Sequence, residues 1–225
     1  MDIDNRSLWL RWVVANAIGE MIGLGTTFGV GYLLFNQIGE PEGWVAVLGF
    51  GSLLVASGAI EGIVVGLAQW IAIRRTPLNI TRRSWVVATF LGALVAWFFG
   101  SIPSTLMSLS TDSGNVSPQE PEHMLVIILA GGMGAIAGVI LAIPQWRVLH
   151  RTVSKAWLWL PANSAAWFLG MPIIFTTVDL IEKAQGVLQS VTLFAMSLLI
   201  TGAVVGAVHG AVLVRLVALR RLDRI

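Results

Sequence analysis

The chain has no cysteine among its 225 residues. Disulfides, thiolate metal sites, cysteine-linked haem and cysteine nucleophiles are therefore excluded. Charge is the second scarcity: Asp, Glu, Lys and Arg make up 12% of the residues, against about 25% in ordinary soluble domains. With so few charges a 225-residue globule could not cover itself with a water-compatible surface. Catalytic signatures are also missing. There is no His-Glu-x-x-His, P-loop, dinucleotide fingerprint or Gly-x-Ser-x-Gly elbow. The serines and threonines of the apolar stretches have no basic partner placed to activate them. The expectation is that the protein is not an enzyme.

What is present is hydrophobicity, at 56% of residues with a mean hydropathy of +0.81. Six uncharged stretches cover residues 12–39, 43–73, 84–111, 123–146, 156–178 and 184–214, interrupted only by Glu20 and Glu61. About 20 apolar residues cross the hydrocarbon core as a helix, so each stretch is long enough. The fold class expected is an all-α membrane protein with six transmembrane helices.

The basic residues orient it. Arg6 and Arg11 precede the first stretch, Arg74, Arg75, Arg82 and Arg83 join the second to the third, and Arg147, Arg151 and Lys155 join the fourth to the fifth. Arg215, Arg220, Arg221 and Arg224 close the chain. The alternate connections hold Glu40 and Glu42, then Asp112, Glu120 and Glu122, then Asp179, Glu182 and the lone Lys183. By the positive-inside rule both termini are cytoplasmic. This distribution also turns the basic pI of 9.7 away from nucleic acid and towards membrane lipid as the partner. The first apolar run is too long for a secretory signal and reads as an uncleaved span. The expected location is a bacterial cytoplasmic (inner) membrane, or an internal membrane with the same topology.

An internal repeat is legible. Residues 62–75 (GIVVGLAQWIAIRR), 138–151 (GVILAIPQWRVLHR) and 202–215 (GAVVGAVHGAVLVR) align Gly62 with Gly138 and Gly202, and Gln69 with Gln145 and His209. The odd helices repeat more loosely: Trp12, Trp85 and Trp159 align, then Asn16, Thr89 and Asn163. One membrane domain, 1–225, is expected to contain three copies, 1–80, 81–153 and 154–225. Each is a helix pair, so the copies share one orientation about an axis along the membrane normal. Glycines four apart at 58, 62 and 66, and at 202, 206 and 210, let helices approach closely. Pro144, Pro161 and Pro172 fall inside the spans as packing kinks or hinges. The polar run 111–121 forms the one substantial loop.

The Gly-x-x-x-Gly-x-x-Gln-Trp run ending at Gln69–Trp70, followed by Arg74, resembles a motif of uncharacterised multi-pass bacterial membrane proteins built from repeated helix pairs. Gln145–Trp146 carries the Gln-Trp end again, while His209–Gly210 departs from it. The resemblance implies the helix-pair architecture and no activity. Mitochondrial carriers also have three helix pairs, but their Pro-x-Asp/Glu-x-x-Lys/Arg signature is absent here.

Two sets of residues are candidates for chemistry. Glu20 lies nine residues beyond Arg11, ~13 Å into the bilayer, and Glu61 thirteen before Arg74, ~20 Å deep. An intramembrane acid costs ~2.5–3.5 kcal/mol to insert and by default suggests function. Two such acids side by side resist double ionisation and can share a proton, as a proton or cation site requires. The plainer reading is interhelical glue, since neither acid recurs in the other copies. The second set is a polar layer of Asn16, Gln69, Thr89, Gln145, Asn163 and His209. It either lines a vestibule or pairs off between helices, at ~0.6–2 kcal/mol per bond. His209 is the one intramembrane histidine, and a lone imidazole without a second ligand is thin support for a cofactor or metal. No cofactor is assigned. Trp9, Trp12, Trp70, Trp85, Trp146, Trp157 and Trp159 map near the cytoplasmic interface, where indoles form a belt.

Minimal loops, missing catalytic motifs and abundant glycine faces lead to a non-catalytic membrane scaffold or accessory subunit of a larger membrane complex. Its candidate partners are another membrane protein or further copies of the chain. The alternative is a small transporter or channel, with the polar layer as its vestibule and Glu20 with Glu61 as its proton or cation site.

Overall fold

The computed structural model describes residues 4–39, 43–112 and 122–222. Helix α1 spans Asn5–Ile38, α2 Gly43–Ile73, α3 Arg82–Asp112, α4 His123–Leu149, α5 Trp159–Glu182 and α6 Val187–Leu222; a 3-10 turn, Ala156–Leu158, leads into α5. All six are long and apolar enough to cross a membrane. Helices α1 and α6 extend past the apolar stretches to take in Arg6, Arg11, Arg215, Arg220 and Arg221. Glu40, Glu42, Glu120, Arg224 and nearly all of the 111–121 loop lie outside the described residues, as does the side chain of Asp112.

Local chemistry sets the helix ends and tolerates the prolines. Gly39, at φ 77°, ends α1 with its N–H on the Phe35 carbonyl at 2.8 Å, a left-handed stop that glycine adopts without a Cβ penalty. Pro161 sits in the first turn of α5, where its missing N–H has no helical partner to lose. Pro144 and Pro172 lie inside α4 and α5, which continue through them.

The helices form a closed ring in chain order, with α6 returning to α1. Antiparallel crossings are visible in the glycine contacts. Gly202, Gly206 and Gly210 of α6 meet residues around Asn16, Val13 and Trp12 of α1, and Gly62 and Gly66 of α2 meet Phe90 and Val86 of α3. An even number of antiparallel passes returns the chain to the end where α1 begins, here termed the basic end. Among the described residues the most extensive packing joins α2 to α3, α4 to α5 and α6 to α1, and the least extensive joins α3 to α4, which meet closely at Gly92, whose Cβ would stand 2.7 Å from the Leu141 carbonyl oxygen. Helices α2, α4 and α6 each therefore pack most extensively on the odd helix that follows in the ring. The physical reason is the glycine stripe. A Cβ on Gly62 would stand 3.1 Å from the Thr89 carbonyl oxygen, and one on Gly202 would stand 2.5 Å from that of Asn16. A Cβ on Gly138 would overlap the carbonyl of Asn163. Such backbone proximity stabilises helix association in lipid, where no hydrophobic effect drives it.

The interior divides into two halves. At the basic end a dense cluster centres on Trp12, Trp85 and Trp159, all fully buried, with Leu149, Leu213 and Leu216 around them. Towards the far end a second, smaller cluster gathers Leu24, Trp167, Leu198 and Val205.

Candidate functional site

The interior of the basic half is organised by three indoles. Trp12, Trp85 and Trp159 form a triangle with ring centroids 5.9–6.2 Å apart, each pair edge to face. The edge-to-face arrangement sets the positive edge of one ring on the negative face of another. This corrects the expectation of an interfacial belt for these three. They are core residues, while Trp157 is exposed and Trp9, Trp70 and Trp146 are half-buried. The signal was present in the sequence. One Trp recurs at the same repeat position, four residues before a buried polar residue and so on the same helix face, whereas a belt residue only needs the right depth.

Each indole N–H reaches the even helix that precedes its own. Trp85 donates to Gln69 Oε1 at 3.1 Å, Trp159 to Gln145 Oε1 at 2.9 Å and Trp12 to His209 Nδ1 at 2.8 Å. The side chains at the one repeat position thus do the same job, two through an amide oxygen and one through an imidazole nitrogen. Since Nδ1 accepts, the hydrogen of neutral His209 sits on Nε2.

The amides then join one another. Gln69 donates to Asn16 Oδ1 at 2.8 Å, the partner expected from the adjacency of α1 and α2. Gln145 donates to Gln69 Oε1 at 3.1 Å and to Thr89 Oγ1 at 2.9 Å. Thr89, Asn16 and Asn163 donate within their own helices, to the carbonyls of Trp85, Trp12 and Trp159. All six residues of the expected polar layer are buried and belong to one network connected through the three tryptophans. Gln145 uses both amide hydrogens, and Gln69 both lone pairs of its carbonyl oxygen.

The two acids are also brought together. Glu20 and Glu61 are 2% and 5% exposed, and their carboxyl groups are close enough to interact electrostatically. Helix α1 crosses α2 at Gly23, whose Cβ position is 3.1 Å from the Glu61 Cα. Glu61 Oε2 accepts from Trp97 Nε1 at 2.6 Å, a partner that sequence reading did not find because nothing in the spacing connects positions 61 and 97. Glu20 Oε2 and Thr201 Oγ1 are buried without a hydrogen-bond partner among the described residues.

Glu61 also borders a cavity of about 490 Å³ in the far half of the ring, lined by residues of α1 to α5 and, apart from Glu61 and Ser101, apolar. The polar layer and the cavity are separate features: none of the six polar-layer residues lines it. Glu20 does not line it either. At the far surface His123 Nδ1 and Asp179 Oδ2 pair at 2.9 Å, tying the start of α4 to the end of α5. Comparison with protein-family models, with curated proteins and with solved structures finds no match to this chain.

Proposed function

We propose that the protein is a non-catalytic integral membrane scaffold or accessory subunit, built as three parallel helix pairs with both termini in the cytoplasm. The bacterial inner membrane, or an internal membrane of the same topology, is its proposed location. The observation that carries the functional reading is the closure of the polar layer on itself. Asn16, Gln69, Thr89, Gln145, Asn163 and His209 bond to neighbouring helices, to their own backbone or to the indoles, in a buried and tightly packed core. Groups that bind a passing solute must instead face a solvated space. The repeat and the proposed kinship with repeated Gln-Trp helix-pair proteins draw support from the matching roles of Gln69, Gln145 and His209 towards the indoles. Surfaces for association remain: the Cβ positions of Gly29 and Gly49 have open space around them, so a partner helix can approach closely there. Native mass spectrometry from lipid nanodiscs tests the proposal. A bound protein partner or a defined oligomer is expected, and a strictly monomeric particle in native lipid overturns it.

One observation favours a second reading, a small transporter. Glu61 borders a cavity and has Glu20 behind it, which suits a proton or cation site. Flux in proteoliposomes that survives the double change Glu20→Gln, Glu61→Gln removes that mechanism.

A further inference from the structure

The far-half cavity combines three properties. Its volume of about 490 Å³ falls within the range of small-molecule pockets, ~300–1,000 Å³. Its wall is apolar except for Ser101 and for Glu61, a residue only 5% exposed. The indoles of Trp97 and Trp167 also line it, and Trp97 holds the carboxyl in place through its 2.6 Å hydrogen bond.

Access is from the side. Phe99 of α3 and Met133 and Ile136 of α4 border the cavity and are each substantially exposed. They flank the α3–α4 junction, the least extensive in the ring among the described residues. In the opposite direction, towards the basic end, the tryptophan triad and amide layer fill the interior. The apolar border on the α3–α4 side suits a ligand that dissolves in the bilayer.

We propose that this cavity binds a lipid-soluble organic cation, admitted between α3 and α4, with Glu61 as its counter-charge. A carboxylate in an apolar wall favours a positive ligand, because the attraction is weakly screened there. Indole faces add cation–π attraction, which strengthens when the cation is desolvated. The apolar lining takes up the hydrocarbon body. A lipid acyl tail could occupy the same volume but brings no positive charge to the Glu61 carboxyl, whose described hydrogen bond is to the neutral indole of Trp97. The inference rests on the Glu61 cation site of the second reading but not on transport, since binding without flux would sustain the one and remove the other.

The test uses the full chain in zwitterionic lipid nanodiscs, titrated with tetraphenylphosphonium and with its isosteric anion tetraphenylborate, empty nanodiscs serving as the partition control. Saturable binding of the cation alone is expected. Glu61→Gln should weaken it by about tenfold, equivalent to ~1.4 kcal/mol. Ala137→Phe, which fills the cavity from α4 and leaves Glu61 in place, should abolish it. Thermal unfolding verifies that each variant is folded, and the two act by different routes, so loss of one to misfolding leaves the other decisive. Equal binding of the anion, no saturable binding of the cation, or unchanged affinity in a folded Glu61→Gln or Ala137→Phe protein overturns the proposal. The result leaves the oligomer and partner measurement unaffected.

Discussion

Replacing Gln69 by leucine tests the polar layer most directly. Leucine has nearly the volume of glutamine, so packing is kept while hydrogen bonding is lost. From sequence, the expected loss is one bond, to Asn16, and hence a modest effect. The structure gives Gln69 three partners on three helices: Asn16 on α1, Trp85 on α3 and Gln145 on α4. Side-chain hydrogen bonds between membrane helices average ~0.6 kcal/mol, with a maximum near 1.7. Three of them put the cost of Gln69→Leu at roughly 2–5 kcal/mol, with the upper part favoured because three buried polar groups are orphaned together. Thr89→Val, also nearly isosteric, removes one interhelical bond, that from Gln145, and should cost about 0.6–1.7 kcal/mol. Reversible unfolding in mixed micelles or by steric trapping measures both. A double-mutant cycle between Asn16→Leu and Gln69→Leu isolates the pair and should show coupling, because the two side chains touch. If Gln69→Leu costs no more than Thr89→Val, or the cycle shows no coupling, the account of the layer as one hydrogen-bonded network is refuted.

Other outcomes follow from the same geometry. Gly138→Ala should destabilise by about 1–3 kcal/mol, because its Cβ overlaps the Asn163 carbonyl; Gly132→Ala on the same helix meets open space and should be neutral or stabilising by up to ~1 kcal/mol. Thermal unfolding of the two variants side by side checks this. His209→Gln should keep stability within about 1 kcal/mol, since an amide oxygen can accept from Trp12 as Gln69 and Gln145 accept from their indoles; His209→Leu should lose ~1–3 kcal/mol by orphaning that indole N–H. An equal loss in both His209 variants, measured in the same unfolding assay, would show that the position is not equivalent across the copies. With no native cysteine to remove, single cysteines at Gly39, Thr111 and Asp179 should react with a membrane-impermeant reagent from outside intact cells. Labelling of any of them only from the cytoplasmic side overturns the proposed topology.

The sequence alone determined six helices, because a helix crossing lipid must satisfy its own backbone and, apart from Glu20 and Glu61, charges fall outside the apolar stretches; half of the helix ends lie three to eight residues from the stretch limits, most of all where α1 and α6 run on through their arginines. It also marked the polar residues that meet, since Asn16, Thr89 and Asn163 recur in phase with Gln69, Gln145 and His209, and polar groups in lipid have few partners except one another. What only the tertiary structure decided is where these elements face. Depth is readable from the distance to an arginine; azimuth around the ring is not, so Trp12, Trp85 and Trp159 read as members of an interfacial belt although they form the centre of the basic half. The same holds for pairing across the ring. Nothing local distinguishes the Glu61–Trp97 bond, because it depends on how α2 and α3 are rotated against each other. The far-half cavity is likewise a property of closure: it lies where α3 and α4 pack least extensively, and sparse packing leaves no mark on either helix alone.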